Sequence, residues 1–249
     1  MIDFIAAFKF AIQFLTRIPV KSPGGPDTID LKKALICFPL AGYLIGCLLF
    51  FLWYLLQPFF PFNTLVLAIL IVTAETIITG AFHLDGMADT FDALFSPGTT
   101  VERKLEIMKD SRIGVMGATA LIIALLLKTA LLDEVLNRHH PTALIIYPAL
   151  GRWAQVLFFY ASPYLRAEGI GSVFARSIDK TTFIRATMVL IPCLFFPSFY
   201  LVFPLLLAIL LLYRRYIHRV LGGITGDVLG SAAIIAELIA LLSILIFTR

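Results

Sequence analysis

The sequence predicts an all-α fold, a polytopic integral membrane helix bundle, and three observations predict it. Of 249 residues, 60% are hydrophobic and only 14% are charged, whereas soluble domains carry about 25% charged residues. The mean hydropathy is +0.95. The apolar residues also fall into runs close to the roughly 20 residues that a helix needs to cross a bilayer. Backbone polar groups in lipid must be satisfied within their own segment, so these runs are read as helices.

The opening stretch FIAAFKFAIQFLTRIPV is too short in apolar residues before Arg17 to cross, and is read as an interfacial helix. Spans are then expected near 34–56, 64–82, 115–136, 141–162, 182–197, 199–213 and 228–247. The fifth and sixth are short and separated only by a turn around Pro197, so about seven spans are expected, with six as the alternative. The start lacks the basic flank and small-residue cleavage site of a signal peptide. Cys37, Cys47 and Cys193 lie in apolar runs without metal-ligand or CxxC spacing and are read as packing residues. No repeat, low-complexity segment or linker divides the chain, so residues 1–249 are expected to form one domain.

Basic residues set the expected orientation. With seven spans, segments 15–33, 83–114, 163–181 and 214–227 share one side. Together with Lys9 and Arg185 at their edges they hold 16 of the 20 Lys and Arg residues. The opposite side carries Arg138 and the C-terminal Arg249, while Lys128 and Arg152 fall inside spans. The long polar loops are therefore expected in the cytoplasm. The net charge of +4 is a topology signal and does not point to nucleic acid.

The stretch GAFHLDGMADTFDALF places Asp85, Asp89 and Asp92 at i, i+4 and i+7. At about 100° per residue they fall within an arc of roughly 60°, one face of a helix. Three carboxylates on one face repel one another. A hard divalent cation such as Mg²⁺ offsets that, taking oxygen ligands and leaving positions for water or phosphate. Gly86 beside the first aspartate allows close approach by a substrate or another backbone. A solvated acidic face at the membrane edge is the plainer alternative.

Cations follow in RKLEIMKDSRIGVMGA, where Arg103, Lys104, Lys109 and Arg112 precede the next span. A metal-held diphosphate wants such cations opposite it, and Arg offers parallel donors to phosphate. Ordinary positive-side anchoring competes for Lys104 and Lys109. Arg112, flanked by Asp110, Ser111 and Gly114, carries more weight, and Ser111 fits a phosphate-approaching turn. In LGGITGDVLGS, Gly223 and Gly226 lead into the last span, where backbone N–H groups can face an anion. Asp227 there is either a fourth metal ligand or a helix cap.

Charges within the bilayer are costly and call for pairing or function. Glu75, Lys128, Arg152 and Glu237 fall at similar mid-depth and are expected to pair between helices, with Arg152 also open to a substrate phosphate. Glu75 precedes Asp85 by ten residues, and Glu237 follows Asp227 by ten. On a continuous helix that is about 15 Å, too far to share one metal. His83 lies nearly opposite Asp85 on a helix, so it serves as base or ligand only if the turn there is not yet helical. Otherwise it is a satisfied interfacial histidine.

The runs HLDGMADTFDALF, RKLEIMKDSRIGVMGA and GGITGDVLGS, with the earlier FLTRIPV and FPLAGYLIG, closely resemble the cobalamin synthase (adenosylcobinamide-GDP ribazoletransferase) family over nearly the whole chain. The departures are small: Met87 stands where leucine is usual, Val115 and Met116 replace Thr-Tyr, and Phe91 replaces a small residue. The resemblance implies transfer of the cobinamide phosphate of adenosylcobinamide-GDP to α-ribazole or its 5′-phosphate, with release of GMP and with Mg²⁺ as cofactor. On that reading Asp85, Asp89 and Asp92 are metal ligands with Asp227 assisting, His83 gains weight as the base, and Arg112 takes a phosphate. Arg103, Lys109, Ser111, Gly223, Gly226 and Arg152 are the expected substrate-binding residues. The expected partners are these two small molecules, with self-association or contact with other corrinoid-assembly enzymes left open. The expected location is a bacterial or archaeal cytoplasmic (inner) membrane.

Two rival readings have sequence signatures of their own. A CDP-alcohol phosphotransferase uses similar aspartate–metal chemistry, but its D-x2-D-G-x2-A-R pattern is not matched, since Gly86 follows Asp85 directly and no arginine follows Ala88. A transporter would use the mid-depth charges as a pathway, and such folds are often built from repeated halves.

Overall fold

The structure, a computed structural model, describes residues 2–21, 24, 25, 28–196 and 199–247. These residues form helices α1 (Ile2–Leu15), α2 (Leu31–Leu56), α3 (Thr64–Thr79), α4 (Phe82–Leu94), α5 (Val101–Ile107), α6 (Val115–Asn137), α7 (Ala143–Ala161), α8 (Ile170–Ser177), α9 (Lys180–Met188), α10 (Phe199–Leu221) and α11 (Gly226–Phe247). No named strand occurs among the described residues. A lone parallel bridge joins Tyr164 to Ile224.

Local signals start the helices where the sequence provides acceptors. Asp30 caps α2 by accepting from the N–H groups of Lys32 (3.1 Å) and Lys33 (3.2 Å). Asn63 caps α3 through the Val66 N–H, and Thr100 caps α5 through that of Arg103. Five helices, α2, α6, α7, α10 and α11, are long and apolar enough to cross a membrane. Helix α3 supplies a sixth run only together with α4, and the pair is bent by 89°. Gly80 (φ 63°) and Ala81 (φ 59°) make that bend, both left-handed. For alanine this costs about 1–2 kcal/mol, so packing must hold it; the Arg17 side chain fills the space where a Gly80 Cβ would stand. Three carboxylates are too costly for lipid, so we place α4 outside the span that α3 begins.

The expected span at 182–197 is not a single helix. Nine-residue α9 gives way to a 3-10 turn at Ile191–Phe195, and the expected turn at Pro197 lies outside the described residues. Polar Lys180, Thr181, Thr182, Arg185 and Thr187 explain why no long apolar helix forms. The segment nevertheless climbs beside α2, from the Lys32–Asp179 pair (2.6 Å) to the Tyr43–Cys193 contact (2.9 Å). The expected sixth span, in contrast, is longer than anticipated and runs to Leu221 as α10.

The core is built on close helix crossings. A Cβ at Gly42 would meet Pro148 O at 2.6 Å, and one at Gly46 would meet Ile145 O at 2.6 Å. This small-residue stripe brings α2 onto α7. Helix α1 buries Ala7, Phe10, Ala11 and Leu15 and packs on α2. At 14 residues it is too short to span.

Contacts sort the loops into two ends. At one end the Arg17 N–H donates to Ile78 O (2.6 Å), Lys32 meets Asp179, and Arg166 meets both Met108 O (3.3 Å) and Asp227 (2.6 Å). That is the grouping of basic segments expected from charge. At the other end Thr64 meets Asp133 and Arg138 meets Leu245 O. Between them, Lys128 on α6 bridges Glu75 on α3 (2.8 Å) and Glu237 on α11 (2.6 Å), while Arg152 on α7 donates to Glu237. The Tyr147 hydroxyl donates to Glu75 at 2.9 Å. All four charged side chains are buried, so the expected interhelical pairing is present.

Removing one partner of a buried pair leaves an uncompensated charge, at a cost of about 3–5 kcal/mol. Lys128→Met is expected to lower thermal stability in detergent accordingly, and adding Glu75→Gln is expected to recover part of the loss. Equal stability of Lys128→Met and wild type would contradict the structural role.

Candidate functional site

Helix α4 lies against the start of α11 because two glycines remove side chains from the crossing. A Cβ on Gly86 would stand 2.8 Å from Asp227 O, and one on Gly230 would stand 3.1 Å from His83 O. The room that Gly86 leaves is thus taken by another backbone, and it sets Asp85 beside Asp227. Both aspartates line a cavity of about 280 Å³ together with Gly226, Tyr164 and Arg166.

The 163–166 segment is fastened across this cavity. Leu165 N–H donates to Ile224 O (2.8 Å) and Ile224 N–H donates to Pro163 O (2.9 Å). Gly223 fits under it, since a Cβ there would stand 2.5 Å from Pro163 O. Arg166 then reaches Asp227 at 2.6 Å, while its Nε is buried without a partner. Thr225 also donates to Asp227, at 3.2 Å. Arg166 and Glu168 are shared with a second cavity of about 430 Å³, which Lys109 also lines. The two cavities therefore meet at one guanidinium.

The expected site residues take different places. Asp85, Asp89 and Asp92 share the α4 face, but Asp92 is committed. Its carboxylate accepts from Gly114 N–H (2.6 Å) and Gly117 N–H (2.8 Å), capping α6, whose own N-cap residue Gly114 offers no side chain. Asp85 and Asp89 have no hydrogen-bonding or ion-pair partner among the described residues. Burial pushes the Asp89 carboxyl up to about 7, aided by the carboxylates of Asp227, Asp85 and Asp92 and opposed by Arg166. The Asp110 carboxyl is instead held down at about 2 by Arg112.

Several expectations need correction on geometry. Helix α4 begins at Phe82, so the turn at His83 is helical and its ring faces away from Asp85. It lines a small cavity with Glu75, Lys128, Arg152 and Glu237, and its Nε2 has no partner. His83 is therefore not placed to act as base. Arg152, 1% exposed, is spent on Glu237 and does not reach the acid face. Arg112 forms an exposed pair with Asp110 (2.6 Å), Arg103 pairs with Glu106 (2.8 Å), and Ser111 is exposed beside them. None of these three lines either cavity.

Sequence reasoning missed Arg166 and Gln155, and weighed Lys104 only as a phosphate-facing or anchoring cation. Lys104 is buried and donates to Ala93 O (2.9 Å), Leu94 O and Ser96 O, closing the end of α4. Arg166 looked like one more basic residue of a loop; only Pro163 and Gly169 around it marked a constrained turn. Gln155 carried no signal inside an apolar span.

A divalent cation fits part of the expected ligand set. Among the described residues no three His, Cys, Asp or Glu side chains stand ready to hold a metal. Yet Asp85 and Asp89 have no partner among the described residues, and the nearby carboxylates of Asp227, Asp85 and Asp92 add to burial in raising the Asp89 carboxyl. Two carboxylates completed by water and phosphate oxygens suit Mg²⁺.

The comparisons with known proteins bear on this geometry. The family model for cobalamin-5-phosphate synthase matches residues 7–245. The chain belongs to the cobalamin-5-phosphate synthase family. It is 34% identical over 243 residues to an adenosylcobinamide-GDP ribazoletransferase of Pseudomonas fluorescens, covering 96% of this chain and 99% of the relative. It is 38% identical over 232 residues to that of Stutzerimonas stutzeri, covering 91% and 92%, and 36% identical over 241 residues to that of Desulfitobacterium hafniense, covering 93% of each. No solved structure matches.

Charging Asp89 among other carboxylates opposes folding, because its folded value lies above the unfolded one. Stability without cation is thus expected to fall as pH rises from about 4 to about 7 and to level off above that. Added Mg²⁺ should raise the melting temperature more at about pH 8 than at about pH 6. Asp89→Asn should remove most of that difference; a cation effect unchanged by the substitution would exclude Asp89 as a ligand.

Proposed function

We propose that the chain is an adenosylcobinamide-GDP ribazoletransferase acting at the cytoplasmic face of the membrane. It joins α-ribazole 5′-phosphate, or α-ribazole, to the cobinamide phosphate of adenosylcobinamide-GDP and releases GMP. The observation that carries this reading is the meeting of two cavities at Arg166 beside an unpaired acid face. A two-substrate transfer across a diphosphate needs such a junction.

The chemistry is one exchange at phosphorus. The ribose hydroxyl oxygen of the acceptor forms a new P–O bond to the cobinamide phosphate. The bond from that phosphorus to the GMP oxygen breaks, GMP leaves with the electron pair, and the hydroxyl proton passes to a carboxylate of the acid face. Asp85 and Asp89 would hold Mg²⁺, with Asp227 beside them, and Mg²⁺ when bound supplies neutralisation of the diphosphate charge. Arg166 offers its free Nε and a planar fork to phosphate oxygens at the junction. Lys109 lines the second cavity and offers its ammonium to the remaining phosphate charge. Asp92 holds the start of α6 against α4, and Gly86 and Gly230 hold α4 against α11, so the face keeps its shape.

The decisive assay is Mg²⁺-dependent GMP release by the purified protein in detergent, given adenosylcobinamide-GDP and α-ribazole phosphate. Asp89→Asn and Arg166→Ala are each expected to lower kcat/KM by at least about 100-fold, the scale of losing one electrostatic contact in the transition state. Asp92→Asn should act mainly on stability, through the α6 cap, by about 1 kcal/mol. CMP release from CDP-diacylglycerol and an alcohol, without GMP release, would replace this reading with the lipid-synthase one.

A further inference from the structure

We propose that the 280 Å³ cavity is the seat of the ribazole base, with an aromatic wall that takes the flat ring and Gln155 as its hydrogen-bonding group. This rests on the transferase reading and names which of its two substrates the cavity serves.

The cavity has two unlike ends. Asp85, Asp227, Arg166 and Glu168 form the polar end, at the acid face. Phe14, Phe38, Phe82, Phe159 and Tyr164 form the other, contributed by α1, α2, α4, α7 and the segment after α7. These rings support one another: Phe14 stands 5.9 Å from Phe38 and 6.0 Å from Phe82, and Phe159 lies stacked 6.1 Å from Tyr164. Aromatic rings already held by neighbours offer stacking surface at little ordering cost. Gly171 is shaped to this purpose, since a Cβ there would collide with the Tyr164 hydroxyl.

Gln155 is the second, independent observation. It lines the cavity, is 3% exposed, and its Oε1 is buried with no partner. Unsatisfied buried polar atoms are uncommon and call for a reason. A half-turn of the carboxamide exchanges its donor and acceptor, so it can serve a single polar atom on a ring.

These properties choose between the two flat rings of the reaction. Guanine carries donors and acceptors around its edge, and an aromatic wall would leave them unpaired at a cost for each. The ribazole base is a dimethylbenzimidazole: fused rings, two methyl groups and one free ring nitrogen. It matches an aromatic wall with one carboxamide. The polar end then receives the ribose and phosphate, next to the acid face where the acceptor hydroxyl must act. The nucleotide half of the donor is left to the 430 Å³ cavity, on the other side of Arg166 and lined by Lys109. A corrin ring is far too large for either cavity and stays outside them.

The test separates the two substrates. Titration of α-ribazole phosphate into the full-length protein in detergent, without metal, gives its affinity directly, and steady-state GMP release gives a KM for each substrate. Phe82, 47% exposed, can be truncated without emptying the core. Phe82→Ala is expected to weaken α-ribazole phosphate about tenfold or more, the scale of a lost base–aromatic stack. Gln155→Leu, which keeps volume, should weaken it about three- to tenfold. Both should leave the KM for adenosylcobinamide-GDP within about twofold of wild type. Free dimethylbenzimidazole should compete with α-ribazole phosphate and not with the donor. A loss confined to the donor KM would overturn the assignment and place the donor in this cavity. Unchanged α-ribazole phosphate affinity in both variants would overturn it too, while GMP release kept the transferase reading intact. No GMP release by wild type would sink that reading, and the titration would still judge the cavity.

Discussion

Four charges that cannot be left alone in lipid govern this bundle. Glu75, Lys128, Arg152 and Glu237 sit on α3, α6, α7 and α11, and each must find a partner because an isolated charge at that depth is too costly. Pairing fixes the height of four helices against one another to within one side chain's reach, since sliding a helix by a turn, about 5.4 Å, would break two contacts at once. The site follows from that register. Asp227 stands ten residues before Glu237 on one helix, and Asp85 ten after Glu75 across the bend. The network touches neither of these aspartates, yet it decides that they arrive at the same level.

Level alone does not bring them together; the glycine crossing does. With α4 turned 89° from α3, its acid face runs across the mouth of the bundle rather than along it. Gly86 and Gly230 then let α4 meet α11 backbone to backbone. Everything else at the mouth is fastened to this pair: α6 through its Asp92 cap, the end of α4 through Lys104, the 163–166 segment through its bridge to Ile224. The acid face is thus carried on helices and a hydrogen-bonded strap, the rigid support that precise chemistry needs.

How much of this could be read in the sequence depended on the range of the signal. Apolar runs and basic loops act through the bilayer, which every residue experiences alike, so the helical class and the grouping of loops at one end were legible. The mid-depth ion pairs were legible because lipid leaves a charge no alternative. The segment 182–197 misled because its composition is borderline and it is held by α2 and α7, not by its own hydropathy. His83 hinged on whether one turn was helical, which left-handed Gly80 and Ala81 decide. Arg166 was invisible because its partner Asp227 is far away in the chain, and Gln155 because distant segments build the cavity it lines. Arg112 pairs with its neighbour Asp110 two residues away, a local contact that its place in the sequence left open.

Charge balance links the acid face to what it receives. Asp92 is answered by the start of α6, and Asp227 by Arg166. Asp85 and Asp89 have no hydrogen-bond or ion-pair partner among the described residues, and burial, aided by the neighbouring carboxylates and opposed by Arg166, holds the Asp89 proton toward about 7. A diphosphate brings further negative charge to this place, and one guanidinium does not balance it. The face therefore favours a donor whose charge is neutralised as it binds, and it disfavours the same donor alone. An acceptor base held by stacking needs no such help, because its ring is neutral and its seat is aromatic. The two cavities then differ in kind: the 430 Å³ one, lined by Lys109 and Arg166, binds through charge, and the 280 Å³ one adds ring area to the charge of its polar side. That difference keeps each substrate out of the other's place while Arg166 brings their reacting ends together.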